Sequence, residues 1–187
     1  MNQNLKKAFI VAAAAAAVGG TIYALRKPRK YSGVKMKKSI LINRPASDLY
    51  AFWRDFQNLP RLTDILQSVE VFDDFRSRWT AAAPGDIPIQ WDAEVTKDIR
   101  DEMIGWQSVE GSSVETAGFV RFEPTRGGRE TLVRVALEYN LPARRVGAAV
   151  ATLFGKRPGA HVEEMLRRLK QMMETGQSEI SERRFAT

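Results

Sequence analysis

Cysteine is absent from the 187 residues of the sequence, and there is only one histidine, His161. Without cysteine the chain has no disulfide, no thiol nucleophile and no cysteine-ligated zinc or iron–sulfur site. A single histidine excludes a multi-histidine metal centre and leaves little for serine–histidine–aspartate chemistry. We therefore predict neither a metal nor a cofactor, and we assign no catalytic residue from the sequence.

Acidic residues are missing from the first 38 positions, which hold nine lysines and arginines. The other 149 residues hold 20 basic and 22 acidic side chains, although the whole chain has a formal net charge of +7. The positive charge is therefore confined to an N-terminal arm. A basic arm on a balanced domain is poor evidence for nucleic-acid binding, and we predict no nucleic-acid partner.

An uncharged run of 18 residues extends from Ala8 to Leu25, between Lys6-Lys7 and the basic cluster RKPRK. As a helix it would be about 27 Å long, close to the ~30 Å hydrocarbon core of a bilayer. This pattern predicts a membrane span. A cleaved signal peptide is one alternative, but its apolar core is usually about 7–15 residues and a basic cluster behind it disfavours translocation. An alanine-rich soluble helix is the other, although the run has no polar face.

The flanking charges predict the orientation of this span. Two lysines precede it, whereas seven basic residues follow it between positions 26 and 38. Because the more positive flank stays inside, we expect a single-pass membrane protein with its main domain in the cytoplasm. Basic side chains at this place can contact anionic membrane lipids, and those predicted to do so are Arg26, Lys27, Arg29 and Lys30. They can also be only a stop signal and a solvated linker, and the two interpretations are compatible.

Period-two hydrophobicity bounded by turn residues predicts seven strands in the rest of the chain. These strands are Ser39–Asn43, Ser68–Phe72, Arg76–Ala83, Ile89–Asp98, Met103–Val109, Thr116–Pro124 and Glu130–Tyr139. Two short helices between Ser47 and Leu66 follow the first strand, and an amphipathic helix over 158–175 follows the last, with Gly176 as its stop. We divide the chain into an anchor and linker (1–35), a folded domain (36–176) and a polar tail (177–187).

This order of elements predicts an α+β fold. Short turns between consecutive strands favour antiparallel pairing in a single sheet. The sheet must cover one apolar face, and only the C-terminal helix is long enough to cover it. We therefore expect a seven-stranded antiparallel sheet curled around this helix, with a cavity between the two.

Five segments within residues 39–176 resemble the SRPBCC or START-like superfamily, specifically its polyketide cyclase/dehydrase and coenzyme-Q-binding START group. The segments are NRPASDLYAFWRDFQNLPRL, SRWTA, IQWDAEVTKDIRDEMIGWQS, GFVRFEPTRGGRETLVRVALEYNLP and HVEEMLRRLKQMMETG. The resemblance implies a helix-grip fold that encloses a hydrophobic ligand such as a lipid, a quinone or a polyketide. It implies less about chemistry, since the superfamily contains enzymes, carriers and proteins of unknown role.

Bulky apolar residues on the predicted strands and helices are the candidate lining of the cavity. They are Trp53, Phe56, Trp79, Trp91, Trp106, Phe122, Tyr139, Leu166 and Leu169. The alternative is that they simply fill the core. A cyclase would also need polar groups, and Glu94, Arg121, Arg134 and Glu138 either form such a cluster or belong to a solvated sheet face.

Residues 143–155 form an apolar helical insert with basic ends, between the last strand and the last helix. Leu153 and Phe154 would contact the membrane if the insert were a lid at the bilayer surface. Otherwise the insert packs on the domain itself.

Three functions remain open at this stage. The first is a membrane-tethered domain that binds a hydrophobic small molecule without catalysis. The second is a cyclase or dehydrase acting in the same cavity, and the third is a scaffold for another membrane protein. The sequence does not indicate an oligomeric state.

Overall fold

The computed structural model describes residues 34–81, 88–140 and 158–185. The elements in chain order are β1 (Val34–Ile42), α1 (Ala46–Arg54), a 3₁₀ helix (Phe56–Leu62), β2 (Leu66–Val71), β3 (Arg76–Ala81), β4 (Ile89–Ile99), β5 (Met103–Ser108), β6 (Glu115–Pro124), β7 (Thr131–Asn140) and α2 (Pro158–Phe185). The predicted span 8–25, the basic residues Arg26, Lys27, Arg29 and Lys30, and the insert 143–155 with Leu153 and Phe154 lie outside the described residues. Within those residues, no helix has both the length and the apolar character needed to cross a bilayer.

The seven strands form one sheet in the order β1-β7-β6-β5-β4-β3-β2, and every neighbouring pair is antiparallel. Strands β2 to β7 follow one another along the sheet as a meander, because each pairs with the next strand in the chain. The first strand then pairs with the last, so β1 and β2 are the two edges of the sheet. The antiparallel sheet and its C-terminal helix are therefore as predicted.

The two faces of the sheet differ because side chains alternate along each strand. On β1 the residues of the inner face are Met36, Lys38, Ile40 and Ile42, and those of the outer face are Lys35, Lys37, Ser39 and Leu41. Helix α2 packs on the inner face, where Leu166 and Leu169 are buried. A 3.0 Å ion pair between Lys38 and Glu163 also joins the helix to β1.

Helix α1 and the 3₁₀ helix cover the remaining part of the inner face. Their buried residues include Leu49, Trp53, Phe56 and Leu59. Asp55 separates the two helices, and its side chain accepts a hydrogen bond from the backbone N–H of Gln57. This contact satisfies one of the free N–H groups at the start of the second helix. The two helices and α2 therefore enclose one hydrophobic core against the curled sheet.

Three boundaries differ from the sequence prediction by four residues or more. Strand β1 starts at Val34, five residues before the predicted strand, because Met36 completes the buried alternation of its inner face. Leu66 begins β2 instead of ending a helix. Helix α2 continues through Gly176 to Phe185, so most of the predicted polar tail is helical. Glycine inside a helix costs only about 1 kcal/mol relative to alanine, which does not by itself stop a helix.

Candidate functional site: an aromatic cluster between sheet and helices

Four tryptophans from four elements make a continuous row of ring contacts on the inner face. Trp53 of α1 lies 6.5 Å from Trp106 of β5, measured between ring centroids. Trp106 lies 6.4 Å from Trp79 of β3, and Trp79 lies 6.0 Å from Trp91 of β4. Two phenylalanines extend the row, with Phe122 6.5 Å from Trp53 and Phe56 6.1 Å from Trp79. We call these six residues the aromatic cluster.

Strand register explains why residues far apart in sequence meet in this cluster. Trp79 and Trp91 are direct partners across the β3–β4 pair. Trp106 is opposite Gly118 across the β5–β6 pair, and a Cβ atom added to this glycine would lie only 2.7 Å from Trp106 Cζ2. Because Gly118 has no side chain, the Trp106 ring can lie against the β6 backbone at this position. Sequence reasoning missed this residue, since only the pairing register connects it to a tryptophan.

The indole N–H groups of the cluster are not equally satisfied. Trp79 Nε1 donates a hydrogen bond of 2.8 Å to Ser77 Oγ. In contrast, Trp53 Nε1 and Trp91 Nε1 are buried and have no hydrogen-bond partner within the part of the chain that the structure describes. These two side chains are only 1% and 8% exposed. A buried donor left without an acceptor costs about 1–3 kcal/mol, so both positions favour an incoming oxygen atom.

A polar group borders the cluster at the Phe122 end. The Tyr50 hydroxyl donates to Asp98 Oδ1 at 2.6 Å, and Arg54 Nε donates to Asp98 Oδ2 at 2.7 Å. The Tyr50 ring meets Phe122 edge to face at 6.2 Å. Burial, together with the hydrogen bond to Asp98, raises the pKa of Tyr50 to about 12. Tyr50 therefore keeps its proton at neutral pH and acts as a hydrogen-bond donor.

This tyrosine–aspartate–arginine group also fixes α1 to the sheet. Arg54 donates a second hydrogen bond, of 2.7 Å, to the carbonyl oxygen of Asp74 in the β2–β3 turn. One arginine thus joins α1 to β4 and to a turn on the neighbouring pair of strands. The spacing of Tyr50 and Arg54, four residues apart on one helix, was a signal for this group. Asp98 lacked any such signal, because it lies more than forty positions further along the chain.

All nine candidate cavity residues are buried in the core. Six of them are the members of the aromatic cluster. Tyr139 lies on β7 opposite Thr116 of β6, and burial raises the pKa of its hydroxyl. Leu166 and Leu169 lie on the side of α2 that faces the sheet. Their contact with a ligand stays a prediction.

The predicted polar cluster for a cyclase does not lie on this side of the sheet. Strand alternation places Glu94, Arg121, Arg134 and Glu138 on the outer face, away from α2 and the aromatic cluster. There they make contacts of their own, such as the 2.9 Å ion pair between Arg134 and Glu123. Arg121 and Arg134 are exposed there, whereas Glu94 and Glu138 are half-buried. The four residues therefore belong to the outer sheet face and not to a cluster beside the aromatic rings. His161 is exposed on the first turn of α2.

Known proteins with a similar sequence and fold give the family. The sequence profile of the family described as "Polyketide cyclase / dehydrase and lipid transport" matches residues 42–169. The chain belongs to this family. It is 38% identical to a Deinococcus radiodurans protein of known crystal structure, with a TM-score of 0.64 over 76% of this chain and 98% of that one.

Two further proteins are similar, one in fold and one in sequence. A START superfamily protein from Mycobacterium smegmatis shares the fold, with a TM-score of 0.58 and 16% identity over 75% of this chain and 97% of that one. An uncharacterized 17.2 kDa protein of Streptomyces lincolnensis is 31% identical over 88 residues. This match spans 47% of the present chain and 57% of the curated relative. The polyketide cyclase/dehydrase family and the helix-grip fold predicted from the sequence are therefore confirmed.

Proposed function

We propose that this family member is a membrane-tethered START-like domain that binds a hydrophobic small molecule between the sheet and α2. Residues 36–176 would form the ligand-binding domain, held on the cytoplasmic side by a span at 8–25. The family and the apolar inner face support the ligand-binding part. The charge pattern of the N-terminal arm supports the tether.

The observation that carries the proposal is the pair of buried indole N–H groups in the aromatic cluster that have no partner within the described residues. Aromatic rings offer a large contact area to a flat or chain-like apolar molecule. Trp53 and Trp91, at the two ends of the tryptophan row, would each donate to an oxygen of that molecule. A quinone, a polyketide-like compound or a lipid ester has both the apolar surface and the acceptor oxygens.

A cyclase or dehydrase acting in the same place is the second candidate. The observation in its favour is the Tyr50–Asp98 hydrogen bond beside Phe122, which sets a protonated hydroxyl at the edge of the apolar region. Such a hydroxyl would have to leave Asp98 and donate to a substrate carbonyl. Asp98 accepts hydrogen bonds from both Tyr50 and Arg54. The Tyr50–Asp98 pair therefore already attaches α1 to the sheet, and for this reason we favour ligand binding over catalysis.

The test is to purify the full chain from its native host in mild detergent and to analyse organic extracts by mass spectrometry. We expect one reproducible apolar, oxygen-containing compound. Trp53→Phe and Trp91→Phe keep a ring but remove an N–H that has no partner within the described residues. Each should therefore weaken binding of that compound about two- to twelvefold, the range of a net hydrogen bond of about 0.5–1.5 kcal/mol. Trp79→Phe is the matched control, since its N–H already has Ser77 as partner.

Each result has a clear meaning. A chain that purifies empty, with extracts matching a mock preparation, would contradict ligand binding and favour the scaffold. Equal effects of all three substitutions would mean that the unpaired N–H groups do not contact the ligand. Conversion of the extracted compound by the wild-type chain, lost in Tyr50→Phe, would establish the enzyme instead.

A further inference from the structure

A groove of about 630 Å³ crosses β1, β7 and β6 on the outer face of the sheet. Its lining includes Lys37, Ser39, Phe119, Arg121, Arg134 and Ala136, and we call these six residues the basic groove. The sheet itself separates the basic groove from α2 and the aromatic cluster. The groove is therefore a second, independent feature of the molecule.

Like charges stand directly opposite each other in this groove. Arg121 of β6 is the register partner of Arg134 of β7, an arrangement that destabilises a sheet unless other charges compensate. Glu123 pairs with Arg134 at 2.9 Å. Arg121 contacts the sulfur of Met103 at 3.8 Å, which neutralises no charge. The pair thus retains an excess positive charge that an external anion would balance.

A third cation strengthens this excess. Lys37 of β1 lies in the adjacent cross-strand row, directly opposite Ala136. The described residues hold no ion-pair partner for it. Lys38 also borders the groove but pairs with Glu163 on the inner side. Among the lining side chains of the outer face there are therefore three cations and one carboxylate, Glu123, which leaves a net charge of +2 on this part of the face.

Apolar side chains accompany these charges. Phe119 and Ala136 are direct partners across β6 and β7 and form the half-buried floor of the basic groove. Leu41 lies on the same face of β1 and is 41% exposed, which is unusual for a large apolar residue in this structure. Cations next to exposed apolar groups are the chemistry of surfaces that rest at the headgroup boundary of a bilayer.

The position of the groove in the chain points to the same partner. Lys37 lies twelve positions after Leu25, the last residue of the uncharged run. Twelve residues span at most about 40 Å when fully extended, so a membrane tether would keep this face next to the bilayer. The seven basic residues between positions 26 and 38 continue directly into the edge strand β1. A second copy of the same face is a poor partner, because the two positive surfaces would repel each other.

We propose that the outer face docks on an anionic bilayer, with a lipid phosphate in the basic groove between Lys37 and Arg121 and with Leu41 at the headgroup boundary. The aromatic cluster then faces away from the membrane surface on the other side of the sheet. This docking rests on the tether of the proposed function and does not depend on the ligand.

The absence of cysteine makes a site-specific test straightforward, since one introduced cysteine carries the only label. Ser39→Cys places a polarity-sensitive fluorophore in the basic groove, and Ser68→Cys places the same label on β2 at the opposite edge of the sheet. The full chain is mixed with phosphatidylcholine vesicles, with or without one third phosphatidylglycerol. We expect a blue shift of the Ser39 label with anionic vesicles only, and no shift of the Ser68 label with either.

Charge variants then identify the groove. Lys37→Gln/Arg121→Gln should weaken docking about fivefold for each charge removed, as expected for basic residues near an anionic surface. Arg76→Gln/Arg100→Gln removes the same total charge from exposed residues that do not line the groove and is the matched control. Equal losses in the two double variants would overturn the assignment to the basic groove.

Two further outcomes would also overturn the proposal. If millimolar inorganic phosphate shifts the Ser39 label as fully as anionic vesicles do, the groove is a site for a small anion. If the chain sediments with vesicles while the Ser39 label stays unchanged, the tether is supported but the docking is wrong. A chain that does not sediment with either kind of vesicle would contradict the tether and the docking together, and the mass spectrometry of bound ligand would still stand as a separate result.

Discussion

The inner and outer faces of the sheet are built from the same strands yet carry opposite chemistry. On β7, Val133, Val135 and Tyr139 are buried on the inner face, while Arg134 between them is exposed on the outer face. The inner face gathers tryptophans and leucines under α2, whereas the outer face gathers arginine, lysine and glutamate. A period of two therefore lets one sheet serve as the wall of an apolar site and as a charged surface at once.

The largest difference between the two faces should be in how much one side chain contributes to the free energy of unfolding. Leu169→Ala on the inner side of α2 removes a side chain that is 0% exposed, so we expect a loss of about 2–5 kcal/mol in the free energy of unfolding. Leu41→Ala on the outer face is the matched control and should change it by less than about 0.5 kcal/mol. Urea unfolding of both variants measures the contrast. Equal losses would show that the outer face is covered as well as the inner one.

A smaller effect is expected where the sheet itself makes room for the cluster. Gly118→Ala would set a Cβ atom 2.7 Å from Trp106 Cζ2 and 2.8 Å from the carbonyl oxygen of Ala136. The backbone oxygen cannot move aside, so we expect a loss of about 1–3 kcal/mol and a change in tryptophan fluorescence. Gly105→Ala is the comparison, because its nearest neighbour, Thr96 Oγ1, lies 3.1 Å away and is a side-chain atom. A larger loss for Gly105→Ala would contradict the assigned role of Gly118.

The hydrogen-bonded group of Tyr50, Asp98 and Arg54 should make the stability of the fold depend on pH in the alkaline range. The pKa of Tyr50 is raised from 10.0 to about 12, so the folded state holds this proton more tightly than the unfolded state. The stabilisation is fully present below pH 10 and is lost as the pH rises towards 12. Asp98→Asn removes the charge that accepts the hydroxyl, and tyrosinate absorbance should then show the Tyr50 pKa falling towards its ordinary value. An unchanged alkaline titration would mean that Asp98 does not hold this hydroxyl.

A small effect on stability is expected for the exposed ion pair of the outer face. Glu123→Gln breaks an exposed ion pair with Arg134, and the free energy of unfolding should change by less than about 1 kcal/mol. The same change removes a negative charge from the basic groove, so the Ser39 label should report docking on anionic vesicles about fivefold tighter. Weaker docking would mean that the ion pair orders the groove instead of masking its charge.

The presence of the strands and helices could be predicted because hydrophobic periodicity depends only on residues that are close together in the sequence. Ile89, Trp91, Ala93 and Val95 alternate with polar residues, and β4 covers this segment. Helix α2 was equally predictable, because its apolar residues recur at helical spacing. Boundaries were less predictable, as Gly176 shows, because a glycine ends a helix only when the following chain turns away.

The candidate site, too, could be predicted only in part. Burial of the four tryptophans followed from their place on apolar faces, but their contacts with each other depended on register, which brings Trp79 to Trp91 and Trp106 to Gly118. Arg121 and Arg134 became neighbours for the same reason. A shift of one residue would have exchanged the faces, and nothing in the local pattern sets the pairing of distant strands.

The amino-acid sequence by itself determined the class of fold, the family, the unequal distribution of charge and the exclusion of thiol and multi-histidine chemistry. The family follows from the resemblance of five segments, whereas the other properties depend on composition and on periods of two and 3.6 residues, which act over a few positions. The tertiary structure alone decided which tryptophan N–H groups find no acceptor among the described residues, that Asp98 joins Tyr50 to Arg54, and that the arginines lie on the face opposite the aromatic cluster. These features join residues tens of positions apart, and only the pairing of whole strands brings such residues within contact distance.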